Sequence, residues 1–243
     1  MANNAIKVLV CGNGRMGALV RAMVEADEAF ELVGQVGIED VAALDAGEVP
    51  AADLVIDFTN RAMLPHLVAY LSGSPAALVS GTTGLDADDF AELDALAERM
   101  PVVWSANYSL GVAVLRRLVA EAAQVLDGFD IEIVETHHNQ KVDAPSGTAK
   151  LLLSAVDPEG ERPVVSGRDG MVGARTAREV GMHALRGGTV AGTHEVHFFG
   201  ADEEVCLTHR ATSRQIFVNG AVAAAKRLVG REPGRYTFEE LML

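Results

Sequence analysis

The sequence contains few cysteines, few aromatic residues and no long apolar run. Its two cysteines, Cys11 and Cys206, lie far apart among apolar neighbours. A disulfide framework is therefore excluded, and both thiols are expected to be buried in a protein of a reducing compartment. Aromatic residues make up 5% of the chain, which also contains 24 glycines. That balance favours an α/β protein with many tight turns between strands and helices, because glycine relieves steric limits at such turns.

Positive charge is also scarce. The 20 lysines and arginines are outnumbered by 34 aspartates and glutamates, which gives a formal net charge of -14. An acidic surface repels phosphate backbones and anionic lipids, so neither nucleic acid nor a membrane is an expected partner. The apolar run Ile6–Cys11 is too short for a signal-peptide core, and no run of about 18 apolar residues follows it. We therefore expect a soluble, cytoplasmic protein that binds anions only through a local cluster of cations and backbone N–H groups.

The first half of the chain alternates strand-like apolar runs with helical patterns. The run 54–56 is continuously apolar, as in a strand of a parallel sheet that is buried on both faces. Repeated strand–helix–strand units of this kind predict a doubly wound parallel sheet. Its predicted strands are residues 6–11, 30–36, 54–58, 76–80 and 102–105, and its predicted helices include residues 16–23, 63–71 and 86–99.

After residue 107 the pattern changes, and strand-like runs follow one another with little helix between them. Residues 157–178 are rich in glycine, proline and charge, which is typical of a surface loop. A final helical run at 216–228 is expected to return to the first domain. The sequence thus predicts one domain of residues 1–107 plus 216–243 and a second domain, with a mixed sheet, of residues 108–215. The predicted elements of the second domain are a helix at 110–126 and strands at 131–135, 182–186, 189–192, 195–199 and 205–208.

A glycine-rich turn joins the first strand to the first helix and has the pattern G-x-G-x-x-G. Gly12 permits the tight turn, Gly14 lets the backbone approach a pyrophosphate, and Gly17 allows the helix to pack closely on the strand. The free N–H groups at the helix N-terminus favour a bound anion. In this context the motif predicts a dinucleotide-binding domain.

The acid that usually binds the adenine ribose is expected at the end of the second strand, where this chain has Gly37. Glu39 and Asp40 lie just beyond it and would serve if the turn is displaced. Arg15 and Arg61 are candidates for a 2′-phosphate, although a solvated surface role is open for each. The sequence therefore leaves the choice between NADH and NADPH open.

Residues 135–148 form the segment with the most chemically active side chains. They place two adjacent histidines and Lys141 a few residues before a Ser-Gly-Thr sequence at a helix start, predicted at 149–153. Hydroxyl and N–H groups at such a start form a site for a carboxylate. A metal site is not expected, because side chains at neighbouring positions diverge and no tetrahedral ligand set is complete. An ordinary polar loop remains the alternative.

The pattern E-x-H-H-x-x-K-x-D-A-P-S-G-T at 135–148, with G-x-G-R-M-G at 12–17 and G-T-T-G at 81–84, is similar to the dihydrodipicolinate reductase family, also called 4-hydroxy-tetrahydrodipicolinate reductases. The resemblance covers nearly the whole chain. It implies a Rossmann-like domain completed by the C-terminal tail, with an inserted mixed α/β domain for substrate binding and tetramerisation. It also implies a homotetramer that reduces a small dicarboxylate heterocycle with NADH, NADPH or both in lysine and diaminopimelate biosynthesis.

The same resemblance implies roles for individual residues. His137 would be the general acid that protonates the developing enamine, and Lys141 would bind and polarise the substrate. Glu135 and Asp143 would orient this segment. The implied substrate-binding residues are His138, Ser146, Gly147 and Thr148. The implied cofactor-binding residues are Gly12, Asn13, Gly14, Arg15, Met16, Gly17, Gly81, Thr82, Thr83, Ala106, Asn107 and Tyr108.

Two other functions remain open from the residues alone. A Rossmann dehydrogenase of another amino-acid-like substrate would need a catalytic cysteine or a different carboxylate-binding set, and Cys11 lies in the first strand. A non-catalytic NAD(P)-sensing protein would have no reason to place His137 and Lys141 beside an anion site. The remaining histidines of the second domain are expected to be structural: His183, His194, His197 and His209.

Overall fold

Strands and helices alternate through the first half of the chain, as the sequence predicts. The structure is a computed structural model that describes residues 5–74 and 76–243, and it divides into one unit that ends at Tyr108 and resumes with Gln215–Leu243, and a second unit, Ser109–Arg214. The elements up to Tyr108 are β1 (Ile6–Cys11), α1 (Arg15–Glu25), β2 (Phe30–Val36), α2 (Val41–Asp45), β3 (Leu54–Asp57), α3 (Leu64–Gly73), β4 (Ala77–Ser80), α4 (Ala87–Ala97) and β5 (Pro101–Trp104).

The second unit and the C-terminal return supply the remaining elements. Those of the second unit are α5 (Leu110–Val125), β6 (Asp130–His137), α6 (Gly147–Val156), β7 (Val164–Val165), β8 (Val180–Arg186), β9 (Gly192–Phe199) and β10 (Glu204–Ala211). The chain then returns to the first unit as α7 (Gln215–Leu228), β11 (Gly234–Tyr236) and α8 (Phe238–Met242). None of the helices among the described residues combines the length and the apolar composition of a membrane-spanning segment.

The first unit contains a six-stranded sheet in the order β11-β5-β4-β3-β1-β2, and all its neighbouring strands are parallel. Side chains alternate between its two faces. Leu9 and Val55 pack with α2, α3 and α4 on one face, while α1 and α7 cover the other. Both faces are buried, as the apolar run in β3 predicts. The predicted doubly wound parallel sheet is confirmed.

The second unit contains a five-stranded mixed sheet in the order β10-β9-β6-β8-β7. β9 pairs antiparallel with both β6 and β10, whereas β8 pairs parallel with β6 and β7. One face packs Ile133, Val196 and Phe198 against α5 and α6. The opposite face mixes charged and polar side chains such as Glu132 and His197 with the exposed apolar side chains of Leu185 and Phe199.

Two details of the predicted second domain are wrong. Residues 189–192 do not form a strand of their own, because the chain turns there between β8 and β9, and Gly188 and Gly192 have φ angles of 52° and 158°. Cys206 is exposed rather than buried, because residues of β10 alternate between the two faces of the sheet and Cys206 points away from the core. Cys11 is buried as expected, and burial raises the pKa of its thiol.

Candidate functional site

The glycine-rich turn of the first unit has the close contacts that its motif predicts. Gly12 has a φ of 125°, which side-chain-bearing residues rarely adopt, and its N–H donates to the carbonyl of Val36 at 2.7 Å. A Cβ on Gly17 would lie 1.8 Å from the carbonyl oxygen of Gly12, so only glycine fits there. A Cβ on Gly14 would meet nothing within 4 Å. Because Gly14 is also the N-cap residue of α1, this open space adjoins the helix N-terminus and fits a pyrophosphate.

The acid beside this turn is Glu39. The side-chain amide of Asn13 donates to Glu39, and a Cβ on Gly37 would lie 2.6 Å from both the Asn13 amide nitrogen and a Glu39 carboxylate oxygen. Asp40 has a different role, because its carboxylate accepts from the N–H of Gly37 at 2.8 Å and caps the short helical turn that follows. Position 37 has no acid, but a carboxylate two residues later lies beside the glycine-rich turn.

The two arginines that were candidates for a 2′-phosphate differ in their surroundings. Arg61 is held by Asp86 and Asp89, the second at 2.5 Å. Arg15 is exposed at the first position of α1. The negative partners of Arg61 oppose a second anion there, which leaves Arg15 as the better placed of the two.

A buried carboxylate, Asp57, supports the turn at 81–84. It lies at the C-terminal end of β3 and accepts hydrogen bonds from the hydroxyls of Ser80 and Thr82 at 2.8 Å and of Thr59 at 2.5 Å. Burial raises the pKa of Asp57, and these three hydroxyls oppose that effect. The Thr82 side chain is therefore part of the support, whereas Thr83 in the same turn is exposed.

The second polar turn, at 106–109, contains two different environments. Ala106 is exposed and Asn107 is half-buried. The Tyr108 side chain lies in the core, where its hydroxyl donates to the carbonyl of Ser80 at 2.7 Å and its ring packs on Phe58. The side chain of Tyr108 therefore does not line an open cofactor site, and only its backbone is available for that role.

In the second unit, the predicted general acid His137 is the last residue of β6 and not part of a loop. Its Nδ1 atom lies 2.5 Å from Oε2 of Glu135, two residues earlier on the same strand. Glu135 is fully buried and also binds both terminal nitrogens of Arg186, at 2.8 and 2.9 Å. Burial raises the pKa of Glu135, but the hydrogen bonds from Arg186 and His137 outweigh that effect and hold it below its usual range. The carboxylate is therefore ionised at neutral pH.

The predicted anion site at the start of α6 is partly filled by this same carboxylate. The Ser146 N–H donates to Oε1 of Glu135 at 3.1 Å, and the Ser146 hydroxyl accepts from the N–H of Ala149 at 3.2 Å as the N-cap of α6. Gly147 is exposed and Thr148 is half-buried in the first turn. The first turn of α6, rather than the Ser146 N–H, is thus the part that faces outward.

His194 joins this cluster from the neighbouring strand β9. Its Nε2 lies 3.1 Å from the Ser146 hydroxyl, and its ring packs edge-on against that of His137 with centroids 5.1 Å apart. Burial, followed by the nearby His137, lowers the pKa of His194 to about 4, although Glu135 acts in the opposite direction. His194 is therefore neutral at pH 7.

Lys141 and His138 lie in the connection between β6 and α6. The Lys141 ammonium binds both carboxylate oxygens of Asp143, at 2.8 and 2.9 Å, and this bond lowers the pKa of Asp143. Nε2 of His138 lies 3.1 Å from a terminal nitrogen of Arg214. The segment thus carries one cation, Lys141, and is contacted by a second, Arg214, which follows β10 in the chain.

Sequence reasoning expected His194 to be structural and did not single out Arg186 or Arg214 as site residues. The register between neighbouring strands brings His194 and Arg186 into the cluster, because His194 pairs with Glu135 and Arg186 pairs with His137. The sequence signals for these two residues are weak: Arg186 begins the sequence R-G-G at 186–188, and His194 lies in G-T-H-E at 192–195. The other three histidines that were expected to be structural form contacts outside this cluster: His183 with Glu132 at 2.7 Å, His197 with Glu204 at 2.6 Å and His209 with Ser109 at 3.4 Å.

Two family models match almost the entire chain. The model described as dihydrodipicolinate reductase, N-terminus, matches residues 6–108. The model described as dihydrodipicolinate reductase, C-terminus, matches residues 111–242. The boundary between the two matched regions lies where the first unit gives way to the second, and the C-terminal model also covers most of the return, Gln215–Leu243, to the first unit.

Curated relatives are similar over their full lengths. A 4-hydroxy-tetrahydrodipicolinate reductase of Caldanaerobacter subterraneus subsp. tengcongensis is 42% identical over 247 aligned residues, which cover 98% of each chain. One from Akkermansia muciniphila is 43% identical over 245 aligned residues, again 98% of each chain. Among solved structures, a dipicolinate-bound dihydrodipicolinate reductase from Paenisporosarcina sp. TG-14 has a TM-score of 0.76 at 20% identity and covers 97% of this chain and 99% of its own. That likeness supports the same two-unit fold.

Proposed function

The chain belongs to the dihydrodipicolinate reductase family, and from this premise we propose that it reduces 4-hydroxy-tetrahydrodipicolinate to tetrahydrodipicolinate with a reduced nicotinamide dinucleotide. This reaction is a step of lysine and diaminopimelate biosynthesis. The product ring carries two carboxylates, so the enzyme must bind a dianion although its own net charge is -14. Local cations therefore have to supply the attraction.

The observation that carries this proposal is the geometry of His137. Its Nδ1 atom is held by Glu135, and the structure shows no hydrogen-bond partner for its Nε2 atom among residues 5–74 and 76–243. An imidazole fixed at one nitrogen and open at the other is arranged to deliver a proton. Lys141 follows four residues later and provides the positive charge for a carboxylate.

The first unit fits the dinucleotide. The open space over Gly14 and the N-terminus of α1 suit the pyrophosphate, and the exposed Thr83 and Ala106 suit the nicotinamide carboxamide. When bound, the nicotinamide supplies the hydride. The second unit would bind the substrate carboxylates through Lys141, His138 and the first turn of α6. Loss of the 4-hydroxyl group as water leaves a carbon–carbon double bond conjugated to the imine. The hydride adds to one carbon of that bond, and His137 protonates the neighbouring carbon, on which negative charge develops. A positioned general acid of this kind contributes about a hundred- to ten-thousandfold in rate.

We further propose that the enzyme prefers NADH to NADPH. Glu39 offers a carboxylate to the ribose hydroxyls of NADH, and the same charge repels the 2′-phosphate of NADPH. The bond from Asn13 supports this assignment because it holds the Glu39 carboxylate beside the glycine-rich turn. Arg15 is the one of the two predicted arginines that would moderate the preference.

The resemblance also supports a homotetramer located in the cytoplasm. Light scattering after size-exclusion chromatography measures the number of chains directly. A mass of four chains is expected, and a monomer at micromolar concentration would contradict this part of the proposal.

The test of the reaction is an assay of nicotinamide oxidation. The condensation product of aspartate semialdehyde and pyruvate is generated freshly, and loss of absorbance is followed separately with NADH and with NADPH. We expect rapid oxidation of NADH that depends on the condensation product, and slower oxidation of NADPH. Tight binding of NADH without substrate-dependent oxidation would instead indicate an NAD(P)-sensing protein and would overturn the proposed reaction.

A further inference from the structure

All the partners of the Glu135 carboxylate are hydrogen-bond donors. Oε2 is bound by His137 Nδ1 and by one terminal nitrogen of Arg186, while Oε1 is bound by the Ser146 N–H and the other Arg186 nitrogen. An ionised carboxylate offers about four acceptor positions and no donor. The four contacts therefore account for its whole bonding capacity.

This arrangement fixes which nitrogen of His137 carries hydrogen. An ionised carboxylate only accepts, so a bond of 2.5 Å from Nδ1 to Oε2 requires the hydrogen to be on Nδ1. The neutral imidazole must then have its lone pair on Nε2. After Nε2 gives its proton to substrate, the ring remains hydrogen-bonded to Glu135 and accepts the next proton on Nε2 from solvent.

The surroundings of Nε2 agree with this assignment. A Cβ added to Gly192 would lie 3.1 Å from the His137 Nε2, so the glycine at the start of β9 leaves space beside that atom. His194, whose Cε1 would lie 3.6 Å from the same added Cβ, is neutral and makes edge-on contact with the His137 ring. The ring is therefore bonded by Glu135 at Nδ1 and packed by His194, while Nε2 has no hydrogen-bond partner among the described residues.

We propose that Glu135 is a positioning residue for the reaction: clamped by Arg186 and the Ser146 N–H, it holds His137 in the Nδ1–H form with Nε2 directed to substrate. This inference rests on the proposed function, in which His137 is the general acid. It goes beyond that function because it assigns the selection of the active form of His137 to a buried carboxylate that does not touch substrate.

The sharpest test is Glu135→Gln, because an amide has nearly the same shape but one donor in place of an acceptor. If the amide nitrogen takes the Oε1 position, it faces two donors, Ser146 N–H and Arg186. If it takes the Oε2 position, it faces only one, Arg186, and donates to Nδ1 of His137. The second orientation is better satisfied, so Glu135→Gln is expected to convert His137 to the form with hydrogen on Nε2.

Two measurements monitor this change in the protonated nitrogen of His137. Long-range ¹H–¹⁵N correlation spectra of the enzyme labelled in its histidines, recorded at alkaline pH, distinguish the two neutral forms, and the His137→Asn spectrum identifies the signal of His137. We expect the Nδ1–H form in the unaltered enzyme and the Nε2–H form in Glu135→Gln. We also expect kcat to fall at least about tenfold, while the KM for NADH changes by less than about twofold.

Glu132→Gln is the matched control. Glu132 lies on the same strand and is also bound by arginines, here Arg168 and Arg175. The substitution therefore removes a comparable charge at a residue that does not contact His137. Its kcat is expected to remain within about twofold of the unaltered enzyme. An equal loss in both variants would assign the effect of Glu135 to general destabilisation and would overturn the proposal.

The outcomes separate this inference from the proposed function. An Nε2–H form of His137 in the unaltered enzyme overturns the positioning role even if Glu135→Gln fails to fold, and so does full kcat in a Glu135→Gln variant whose His137 has changed form. A failure of the reductase assignment would be detected by a different measurement: the unaltered enzyme would show no substrate-dependent oxidation of NADH. The spectra require no substrate, so they give their answer in either case.

Discussion

Nε2 of His194 lies 3.1 Å from the hydroxyl of Ser146, the residue that caps α6. The contact ties strand β9 to the start of the helix that carries part of the predicted substrate site. It also buries an imidazole whose protonated form is disfavoured, since burial and the neighbouring His137 lower its pKa to about 4. The site therefore includes a group that makes the folded protein sensitive to acid.

His194→Gln should reduce the loss of stability in acid. The pKa of His194 is about 4 in the folded protein against an ordinary value of 6.5, so the unfolded chain binds a proton first as the pH falls through this interval. Stability is fully present above about pH 6.5 and decreases toward pH 4. Glutamine does not titrate and can keep the bond to Ser146. Between about pH 7 and pH 4.5, the variant is expected to lose about 2 kcal/mol less free energy of unfolding than the unaltered enzyme.

Urea unfolding at the two pH values measures this difference. His183→Gln is a suitable control, because His183 is half-buried and pairs with Glu132 instead of Ser146. Equal acid sensitivity in His194→Gln and the unaltered enzyme would show that His194 is protonated as easily in the folded protein as in the unfolded chain.

Much of the fold could be predicted because the first unit is built from local patterns. Continuous apolar runs such as residues 54–56 are buried on both faces of a parallel sheet, and the G-x-G-x-x-G pattern locates the turn at 12–17. The short strand Gly234–Tyr236 was not predicted, since it is only three residues long and its place at the sheet edge depends on pairing with β5. Residues 189–192 were wrongly predicted as a separate strand because they include apolar and β-branched residues, but they lie in a turn.

The candidate site likewise has one part that could be predicted from the sequence and one part that could not. His137, Lys141 and the helix start at Ser146 are neighbours in sequence, so their association could be predicted. Glu135 and Arg186 are 51 residues apart, and only strand register shows that they meet. A single sequence contains no direct record of register between distant strands. The contacts that hold His137 in position therefore became visible only in the structure.

The second and third glycines of the glycine-rich turn, Gly14 and Gly17, offer a contrasting pair of variants. Gly17→Val should disrupt packing between α1 and β1, because even a Cβ there lies 1.8 Å from the carbonyl of Gly12. We expect a lower thermal midpoint and loss of NADH binding. Gly14→Ala has open space around the new methyl group, so it should fold normally and weaken NADH binding at least about fivefold by blocking the pyrophosphate. Thermal unfolding and calorimetric titration with NADH separate the two effects, and unimpaired binding in both variants would argue against a dinucleotide at this turn.

Lys141→Ala should affect turnover but not the cofactor. Removal of the ammonium leaves a substrate carboxylate without its cation, so kcat is expected to fall at least about tenfold while NADH affinity stays nearly unchanged. The change also frees Asp143, so the double variant Lys141→Ala with Asp143→Asn tests whether the loss comes from an unpaired negative charge. Recovery of turnover in the double variant would show that Lys141 acts mainly by neutralising Asp143. Lys150→Ala, an exposed position on α6, serves as the control.

Pyridine-2,6-dicarboxylate should compete with the substrate. It is a flat ring with two carboxylates, and the solved relative from Paenisporosarcina is dipicolinate-bound. The inhibitor constant should rise in Lys141→Ala by about the factor by which the substrate KM rises, because both ligands would use the same cation. Inhibition that competes with NADH instead of the substrate would place the dicarboxylate outside the proposed substrate site.

Glu39→Gln should narrow the preference for NADH. The carboxylate is expected to accept hydrogen bonds from the ribose hydroxyls and to repel a 2′-phosphate, so its neutral analogue weakens NADH binding and removes the repulsion of NADPH. A charge-assisted bond contributes about 1.5–3 kcal/mol, so the ratio of kcat/KM values for the two cofactors is expected to fall about tenfold or more. Glu31→Gln, an exposed residue on β2, removes the same charge from the same unit and should leave the ratio unchanged. An unaltered ratio in Glu39→Gln would assign the preference to other residues, of which Arg15 is the first to test.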